Sequence, residues 1–262
     1  WSTNNLKNSS DQKQFSVYFF YFSSMPYEQL LDEIMVNTLS AKELIGYPQQ
    51  EFRYAVCPWE LEFHTTIFLA SILLAFDQEK PLILLIQVDD LPESAMLYTG
   101  NIWPHFGRKR NGSHQIPELF IQNHIPQTEE NYYPYLDKLF CYLGVINVNQ
   151  RHLVLFVKKG EKNKNLTDLL RKLLQTEYSL LVISNCFNQL PTNPCKEASE
   201  QLISHIVKKK MSLEEQRSFP AFWLLSELLP REAEETALEQ IINTWELGLD
   251  PQKSTSFWFM LR

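Results

Sequence analysis

The fold follows from residues 54–90, which read YAVCPWELEFHTTIFLASILLAFDQEKPLILLIQVDD. Two short apolar runs, 54–57 and 82–88, enclose a longer apolar segment, 65–76, which has the length of a helix. Strands that are apolar along their whole length are typical of a parallel sheet covered on both faces. The stretch therefore predicts a strand–helix–strand unit at the centre of an α/β fold.

The two predicted strands each end in bulky or acidic residues. Pro58, Trp59 and Glu60 follow the first strand, and Asp89 and Asp90 follow the second. Ligands of open parallel sheets usually bind beyond the carboxyl ends of the strands. An active or binding site is therefore expected at these residues.

The rest of the chain continues the alternation of strands and helices. Residues 1–14 are polar and lack periodicity, which predicts a disordered lead-in. The stretch 91–127 is rich in Gly and Pro, and it is a set of short strands, a functional loop or an insertion. The remaining elements are predicted as strand 15–22, a helix capped by Ser24 that runs through Met35, helix 130–143, strand 153–157, helix 166–175, strand 178–185, helices 197–210 and 219–229, a further segment 232–243, and strands 244–248 and 256–261. This pattern predicts one α/β sandwich domain over residues 15–262, with a mostly parallel or mixed sheet flanked by helices.

Composition places the chain among ordinary globular proteins. It has 262 residues, 44% of them hydrophobic, and a formal net charge of -7, which disfavours nucleic-acid binding by charge neutralisation. No apolar run reaches the roughly 20 residues of a membrane-spanning helix. Cys57, Cys141, Cys186 and Cys195 lack the spacing of a zinc site and are interpreted as free thiols. A soluble, cytoplasmic protein is the expectation.

Four residues near the strand ends are candidates for catalysis. Three interpretations of Asp89 and Asp90 are open: they hold a hard cation together with water and Glu60 or Glu62, they form an acid–base pair, or they are a polar strand end whose second Asp caps the following turn. His64 is the histidine nearest the strand end and is a candidate base, with Cys57 as a candidate nucleophile beside it. Each also has a structural interpretation, as a partly buried helix residue or an inert buried thiol. The residues by themselves leave these alternatives open.

Several short motifs, in their order along the chain, point to a known family. Residues 21–30, YFSSMPYEQL, place aromatic residues and a proline before the first helix, and residues 57–59 read CPW at the end of a strand. Residues 216–220 read QRSFP, and an apolar strand, 257–261, closes the chain. This arrangement resembles the Memo-like family, also called AmmeMemoRadiSam system protein B, whose fold is similar to that of class III extradiol dioxygenases. The resemblance extends from about residue 17 to residue 261.

The resemblance also marks where this chain departs from the family. Family members place histidines, with an acid or a cysteine, around one metal at these strand ends. The corresponding positions here carry residues such as Trp, which cannot ligate a metal, and Gln, which is a weak ligand. The resemblance therefore implies a metal-free fold without a cofactor, whose remnant cleft is formed by Trp59, Glu60, Glu130, Tyr132, Cys186, Gln189 and Gln216.

Two functions follow as hypotheses. The leading one is a non-catalytic, metal-free Memo-like protein that serves as a binding or scaffold module for a protein partner. The alternative is a metal-dependent enzyme of the Memo and extradiol dioxygenase-like class, with a site rebuilt from carboxylates. A nucleotide or phosphopeptide binder is disfavoured because no Gly-rich phosphate loop occurs. A group of aromatic residues is expected either in the core or along the cleft: Trp59, Tyr98, Trp103, Tyr132, Tyr133 and Tyr135.

Overall fold

The structure is a computed structural model that describes residues 27–45, 52–59, 61, 63–100, 118–146, 152–160, 164–176, 178–184, 195–229, 238–243 and 257–261. In chain order these residues form α1 (Tyr27–Ile45), β1 (Tyr54–Pro58), α2 (Phe63–Ala75), β2 (Leu82–Val88), β3 (Ala95–Tyr98), α3 (Glu118–Gln122), β4 (Gln127–Thr128), α4 (Leu136–Ile146), β5 (Leu153–Lys158), α5 (Lys164–Leu174), β6 (Ser179–Ser184), α6 (Cys195–Val207), α7 (Leu213–Ser218), α8 (Pro220–Leu228), β7 (Leu238–Asn243) and β8 (Phe257–Leu261). The predicted lead-in 1–14 and strand 15–22 lie outside the described residues.

The described strands form one eight-stranded mixed sheet in the order β4-β3-β5-β2-β6-β1-β8-β7. The central strands β5, β2, β6 and β1 are parallel, and β3 and β8 flank them in antiparallel orientation. Every residue of β2 is buried, because β2 lies between two layers of helices, and this explains its uninterrupted apolar run. The prediction of a single α/β domain with a mixed sheet between helices is confirmed.

The sheet separates two hydrophobic layers. In one layer, Ile83 and Leu85 of β2 pack with residues of α5, α6 and α8, and we call this side of the sheet the α8 face. In the other layer, Leu84 and Ile86 pack with residues of α2 and α4, and we call this side the α2 face. Successive side chains of a strand point to opposite faces, so the position of a residue within its strand decides which layer it joins.

Polar side chains connect the three helices α1, α2 and α4 on the α2 face. Lys138 Nζ lies 2.9 Å from Glu33 Oε1, and the two side chains are 5% and 9% exposed. The Tyr142 hydroxyl donates to the same carboxylate at 3.0 Å and accepts from Asn37 Nδ2 at 2.7 Å. Asn37 Nδ2 also lies 3.0 Å from Thr66 Oγ1. Burial strongly raises the pKa of Tyr142, so its phenol stays protonated. These helices are therefore joined by a buried ion pair as well as by apolar packing.

The elements of the opening stretch lie where the sequence predicts them. β1, α2 and β2 span Tyr54–Pro58, Phe63–Ala75 and Leu82–Val88. The stretch 91–127 contains short elements of its own, β3, α3 and the start of β4, although 101–117 lie outside the described residues. None of the described helices has the length and apolar character needed to cross a membrane.

The helix predicted at 130–143 begins later, at Leu136. Before it, Asn131 Oδ1 accepts a hydrogen bond from the Tyr133 backbone N–H at 2.9 Å, and Pro134 follows in a turn. An asparagine turn followed by proline disfavours helical backbone at these positions. The prediction was wrong there because it rested on the spacing of apolar residues and not on Asn131 and Pro134.

Other boundaries also differ from the prediction. A short helix, α7, precedes α8 and was not predicted. Its start carries a capping box formed by Ser212 and Glu215, a signal that is visible in the sequence. α1 continues to Ile45, and β7 occupies Leu238–Asn243, within the segment 232–243. The strand predicted at 244–248 lies outside the described residues.

Candidate functional site

The carboxyl ends of the parallel strands β1, β6, β2 and β5 lie along one edge of the sheet, which we call the carboxyl edge. Trp59 follows β1, Ser184 ends β6, Asp89 follows β2 and Lys159 follows β5. This is also their order along the edge. Trp59 and Asp89, two of the predicted site residues, therefore share one edge, with β6 between them.

Aromatic rings form a strip on the α2 face that begins at this edge with Trp59. We call it the aromatic strip, and it consists of Trp59, Tyr98, Tyr132, Tyr133, Tyr135 and Phe156. The half-buried ring of Trp59 meets the ring of Tyr133 edge-on, with centroids 4.7 Å apart. The Tyr133 hydroxyl donates to the Trp59 carbonyl oxygen at 2.7 Å. Tyr133 therefore fixes both the side chain and the backbone at the end of β1.

Acidic side chains stand at the other end of the aromatic strip. The ring of Tyr132 contacts that of Phe156, with centroids 5.6 Å apart, and its hydroxyl donates to Glu130 Oε2 at 2.8 Å. This hydrogen bond to Glu130 raises the pKa of Tyr132, and the negative charge of Asp90 acts in the same direction. Glu130 and Asp90 are both exposed, so two solvated carboxylates lie near one phenol.

Residues 128–135 contribute the tyrosines of the aromatic strip that lie between Tyr98 in β3 and Trp59 after β1. Thr128 pairs with Tyr98 in the ladder between β3 and β4, and its carbonyl oxygen accepts from the Thr99 N–H at 2.7 Å. Gly100 permits this close approach, because a Cβ there would lie 2.9 Å from the Glu129 carbonyl oxygen and 2.6 Å from the Tyr98 ring. Contacts between distant chain segments therefore position the strip.

On the α8 face, Gln87 connects β2 to the corner between α7 and α8. Its Nε2 donates to the Ser218 carbonyl oxygen at 3.2 Å, and its Oε1 accepts from the Ala221 N–H at 3.4 Å. The N-cap residue of α8 makes no side-chain cap, so a strand side chain supplies an acceptor to its first turn. The Gly160 N–H donates to the Arg217 carbonyl oxygen at 2.8 Å, which joins the end of β5 to the same corner.

The structure places the two acids that follow β2 beside different partners. Asp89 Oδ1 lies 3.8 Å from Lys159 Nζ, with its side chain 72% exposed, whereas Asp90 lies near Tyr132. Within the described part of the chain, no group of three His, Cys, Asp or Glu side chains is arranged to hold a metal ion. Glu130 and Asp90 share only an electrostatic effect on Tyr132.

The other predicted site residues have separate surroundings. Cys57 is fully buried inside β1, and burial raises the pKa of its thiol well above the ordinary value, so the thiol stays protonated at neutral pH. Gln216 lies in α7, where its Nε2 donates to the Met211 carbonyl oxygen at 2.7 Å. The remaining candidates lie outside what the structure describes: Glu60, Cys186, Gln189, Trp103 and the side chain of His64.

Two polar residues at the carboxyl edge were missed from the sequence. Gln87 is a polar residue inside an otherwise apolar strand, and such a residue needs buried partners, which is a detectable signal. Ser184 is buried, and its hydroxyl, like that of Thr167 in α5, has no hydrogen-bond partner within the described residues. A buried hydroxyl without a partner is unfavourable, but no sequence pattern indicates one.

Glu215 connects α7 to α6 and makes stability depend on pH. Its Oε2 accepts from the Ser212 N–H at 2.6 Å, and its Oε1 lies 2.7 Å from His205 Nδ1. Partial burial by itself raises the pKa of Glu215, but the hydrogen bonds from Ser212 and His205 outweigh it and leave the pKa below its ordinary value. Such a carboxyl stabilises the fold above its unfolded pKa, and this contribution is lost as the pH falls through the folded pKa.

Glu215→Gln is therefore expected to lower the free energy of unfolding by about 0.2–1 kcal/mol at neutral pH, a small effect because water screens the partly exposed pair. The cost should shrink as the pH is lowered below the ordinary pKa of a glutamate. Urea unfolding of both proteins across the acidic range measures the difference. Glu214→Gln, a change at the neighbouring exposed acid of α7, is the control. A cost of Glu215→Gln that stays constant with pH would contradict the prediction.

The fold and the carboxyl edge define the chain as an α/β protein with a mixed sheet between helices. No protein-family model matches the chain, and no curated protein matches it. One similar solved structure is that of an uncharacterized protein from Escherichia coli K12, with 8% sequence identity and a TM-score of 0.46. The match covers 81% of this chain and 100% of the other. At this identity and TM-score it carries no information on function.

Proposed function

We propose that this protein is a non-catalytic, metal-free Memo-like binding module. The observation that carries the proposal is the environment of Trp59. This residue occupies the position where the resemblance places a metal-binding histidine. The Trp59 ring and carbonyl oxygen both contact Tyr133, and an indole has no lone pair to offer a metal. The end of β1 therefore presents an aromatic surface in place of a ligand.

The order of elements supports the family part of the proposal. A proline ends β1, an apolar helix and a buried strand follow, and Pro220 begins α8, where the resemblance puts a family proline. Neither Cys57 nor Cys141 is in a disulfide bond, which supports our proposal of a cytoplasmic location, since a reducing environment keeps thiols reduced.

The charge around the aromatic strip indicates the chemistry of the partner. Asp90, Glu129 and Glu130 are exposed beside it, and the rings of Trp59 and Tyr132 are only half-buried. Arg and Lys side chains bind both carboxylates and aromatic faces. The net charge of -7 adds a long-range attraction for cations. The partner is therefore a protein with a basic segment.

Isothermal titration with two peptides of equal length tests this proposal, one carrying Arg and the other Glu between Gly and Ser spacers. We expect the Arg peptide to bind with a Kd on the order of 10–100 μM at low salt and more weakly at high salt. The Glu peptide should not bind. The double variant Asp90→Asn, Glu130→Gln should weaken binding of the Arg peptide about 10-fold.

The matched control changes net charge equally at a distance from the strip. Asp168→Asn together with Glu227→Gln removes two exposed acids from α5 and α8, on the α8 face. This variant should keep the wild-type affinity for the Arg peptide. If it weakens binding as much as the strip variant does, the attraction is unspecific and the proposed site is wrong.

The alternative is a metal-dependent enzyme with a remodelled carboxylate site. One observation favours it: the charges of Glu130 and Asp90 both act on Tyr132. Elemental analysis of the protein, after exposure to iron, copper, zinc, manganese and magnesium, separates the two functions. The binding-module proposal expects less than stoichiometric metal. Stoichiometric metal that is lost in the variant Asp89→Ala, Asp90→Ala would establish the enzyme instead.

A further inference from the structure

The short helix α7 lies at the carboxyl edge on the α8 face and is held there without a buried side chain. Of its six residues, Leu213–Ser218, none is buried. Met211 and Phe219, on either side of it, are 6% and 4% exposed and belong to the α8-face core. The burial of apolar side chains supplies most of the free energy of folding, so α7 contributes little of it. Its position therefore depends on its two buried ends and on polar contacts, one of which joins Glu215 Oε1 to His205 Nδ1 of α6 at 2.7 Å.

Two further contacts join the end of α7 to the sheet. Gln87 Nε2 of β2 donates to the Ser218 carbonyl oxygen at 3.2 Å. The N–H of Gly160, which follows β5, donates to the Arg217 carbonyl oxygen at 2.8 Å. The first of these hydrogen bonds is partly buried, and Gly160 is exposed. Water can replace such partners, so breaking these hydrogen bonds costs little free energy.

The six-residue helix α7 is too short to remain helical once it detaches. The first turn of a helix is unfavourable to form, and isolated helices shorter than about 12 residues are marginal in water. Among the hydrogen bonds of α7, the Gln216 N–H donates to the Ser212 carbonyl oxygen at 2.9 Å, and the Phe219 N–H donates to the Glu215 carbonyl oxygen at 2.8 Å. Loss of the contacts with the sheet should therefore also break these two bonds, so that detachment and unwinding are one event.

We propose that α7 is a strap that opens as one unit between Met211 and Phe219 while the sheet stays folded. Gln87 is 4% exposed when the strap is closed. Opening removes the Ser218 carbonyl oxygen from the Gln87 side chain, so the strap controls access to the carboxyl edge on the α8 face. This device does not depend on the function proposed above, because that binding site lies on the α2 face.

Hydrogen exchange of the full chain, followed for each backbone N–H by NMR at urea concentrations below the unfolding transition, tests the strap. We expect the N–H groups of Gln216, Phe219 and Gly160 to share one protection factor, at least about 100-fold below those of β2. Their exchange should hardly respond to urea, because opening exposes little surface, whereas exchange in β2 should accelerate steeply. Equal protection factors and equal urea dependence in α7 and β2 would overturn the proposal, since the strap would then open only with the whole protein.

Gly160 and Lys159 are a matched pair of reporters for this opening. The two residues are neighbours, but the Lys159 N–H donates to the Val88 carbonyl oxygen of β2 at 2.9 Å, whereas the Gly160 N–H donates to Arg217 of α7. Opening of the strap should therefore expose the Gly160 N–H and leave the Lys159 N–H protected. If the two N–H groups have the same protection factor, the turn after β5 does not follow the strap and the proposal is wrong.

Two serine substitutions separate opening of the strap from unfolding of the protein. Ser212→Ala removes the cap of α7, where Ser212 Oγ accepts from the Glu215 N–H at 3.2 Å, and should speed exchange of the distant Gly160 about 5-fold. Ser226→Ala removes the hydrogen bond from the Ser226 hydroxyl to the Ile206 carbonyl oxygen, 2.9 Å long, which joins α8 to α6. It should speed exchange in β2 about 5-fold and leave exchange in α7 unchanged. Equal acceleration of α7 and β2 by Ser226→Ala, or unchanged exchange of Gly160 in Ser212→Ala, contradicts a separate strap.

Discussion

Replacing Lys138 with methionine is expected to lower the free energy of unfolding by about 3–5 kcal/mol, measured by urea denaturation. Lys138 Nζ and Glu33 Oε1 lie 2.9 Å apart, with side chains 5% and 9% exposed. The substitution therefore leaves a buried carboxylate without its cation. The Tyr142 hydroxyl donates to the same carboxylate at 3.0 Å, but a neutral donor does not balance its charge.

Two controls separate the burial of this ion pair from the loss of a lysine. The double variant Lys138→Met, Glu33→Met leaves no buried charge and should lie within about 1–2 kcal/mol of the wild type. Lys80 pairs with Asp77 at 3.1 Å with its side chain 43% exposed, and Lys80→Met should cost less than about 1 kcal/mol. If Lys138→Met costs no more than Lys80→Met, a buried ion pair does not join α1 to α4.

Tyr133→Ala is expected to lower the free energy of unfolding by about 3–5 kcal/mol and to abolish binding of the Arg peptide. Tyr133 is fully buried, and its ring contacts the rings of Trp59 and Tyr135. Its loss leaves a cavity within the aromatic strip and removes the donor to the Trp59 carbonyl oxygen. The end of β1 is then no longer held in place.

Tyr133→Phe keeps the ring and removes only the hydroxyl, so it should cost about 1 kcal/mol. Urea unfolding and titration with the Arg peptide measure both variants. If Tyr133→Ala lowers the free energy of unfolding by less than about 1 kcal/mol, the packing of the Tyr133 ring against Trp59 and Tyr135 does not stabilise the fold. If Tyr133→Phe loses as much stability and peptide affinity as Tyr133→Ala, both depend on the hydrogen bond to Trp59 and not on the packing of the ring.

The central elements were predictable from local sequence. β2 is an apolar run between a proline and two aspartates, and the burial of all its residues follows from its central place in the sheet. Local signals also existed where the prediction was wrong. Asn131 and Pro134 delay the start of α4, and the capping box of Ser212 and Glu215 begins α7. Those errors came from giving apolar spacing more weight than turn and capping residues.

The candidate site was predictable only in part. Trp59 and Asp89 lie on one edge because both follow parallel strands. The sequence does not show that Asp89 pairs with Lys159 while Asp90 lies near Tyr132. Lys159 follows β5 and Tyr132 lies in the segment before α4, and both are distant in the chain from β2. The Memo-like family and the roles of the residues outside the described ranges stay predictions.

The sequence by itself determined the class of fold and the position of the carboxyl edge. The spacing of apolar residues and the turn residues that end each element act within single strands and helices, so both can be read locally. Only the tertiary structure decided that the Tyr133 ring packs against Trp59 and that Gln87 connects to the first turn of α8. It also decided that, among the described residues, the Ser184 hydroxyl has no hydrogen-bond partner. These contacts depend on the strand order β5-β2-β6-β1. Local propensity does not encode the strand order. That order is set by how the crossover connections pack on the two faces of the sheet.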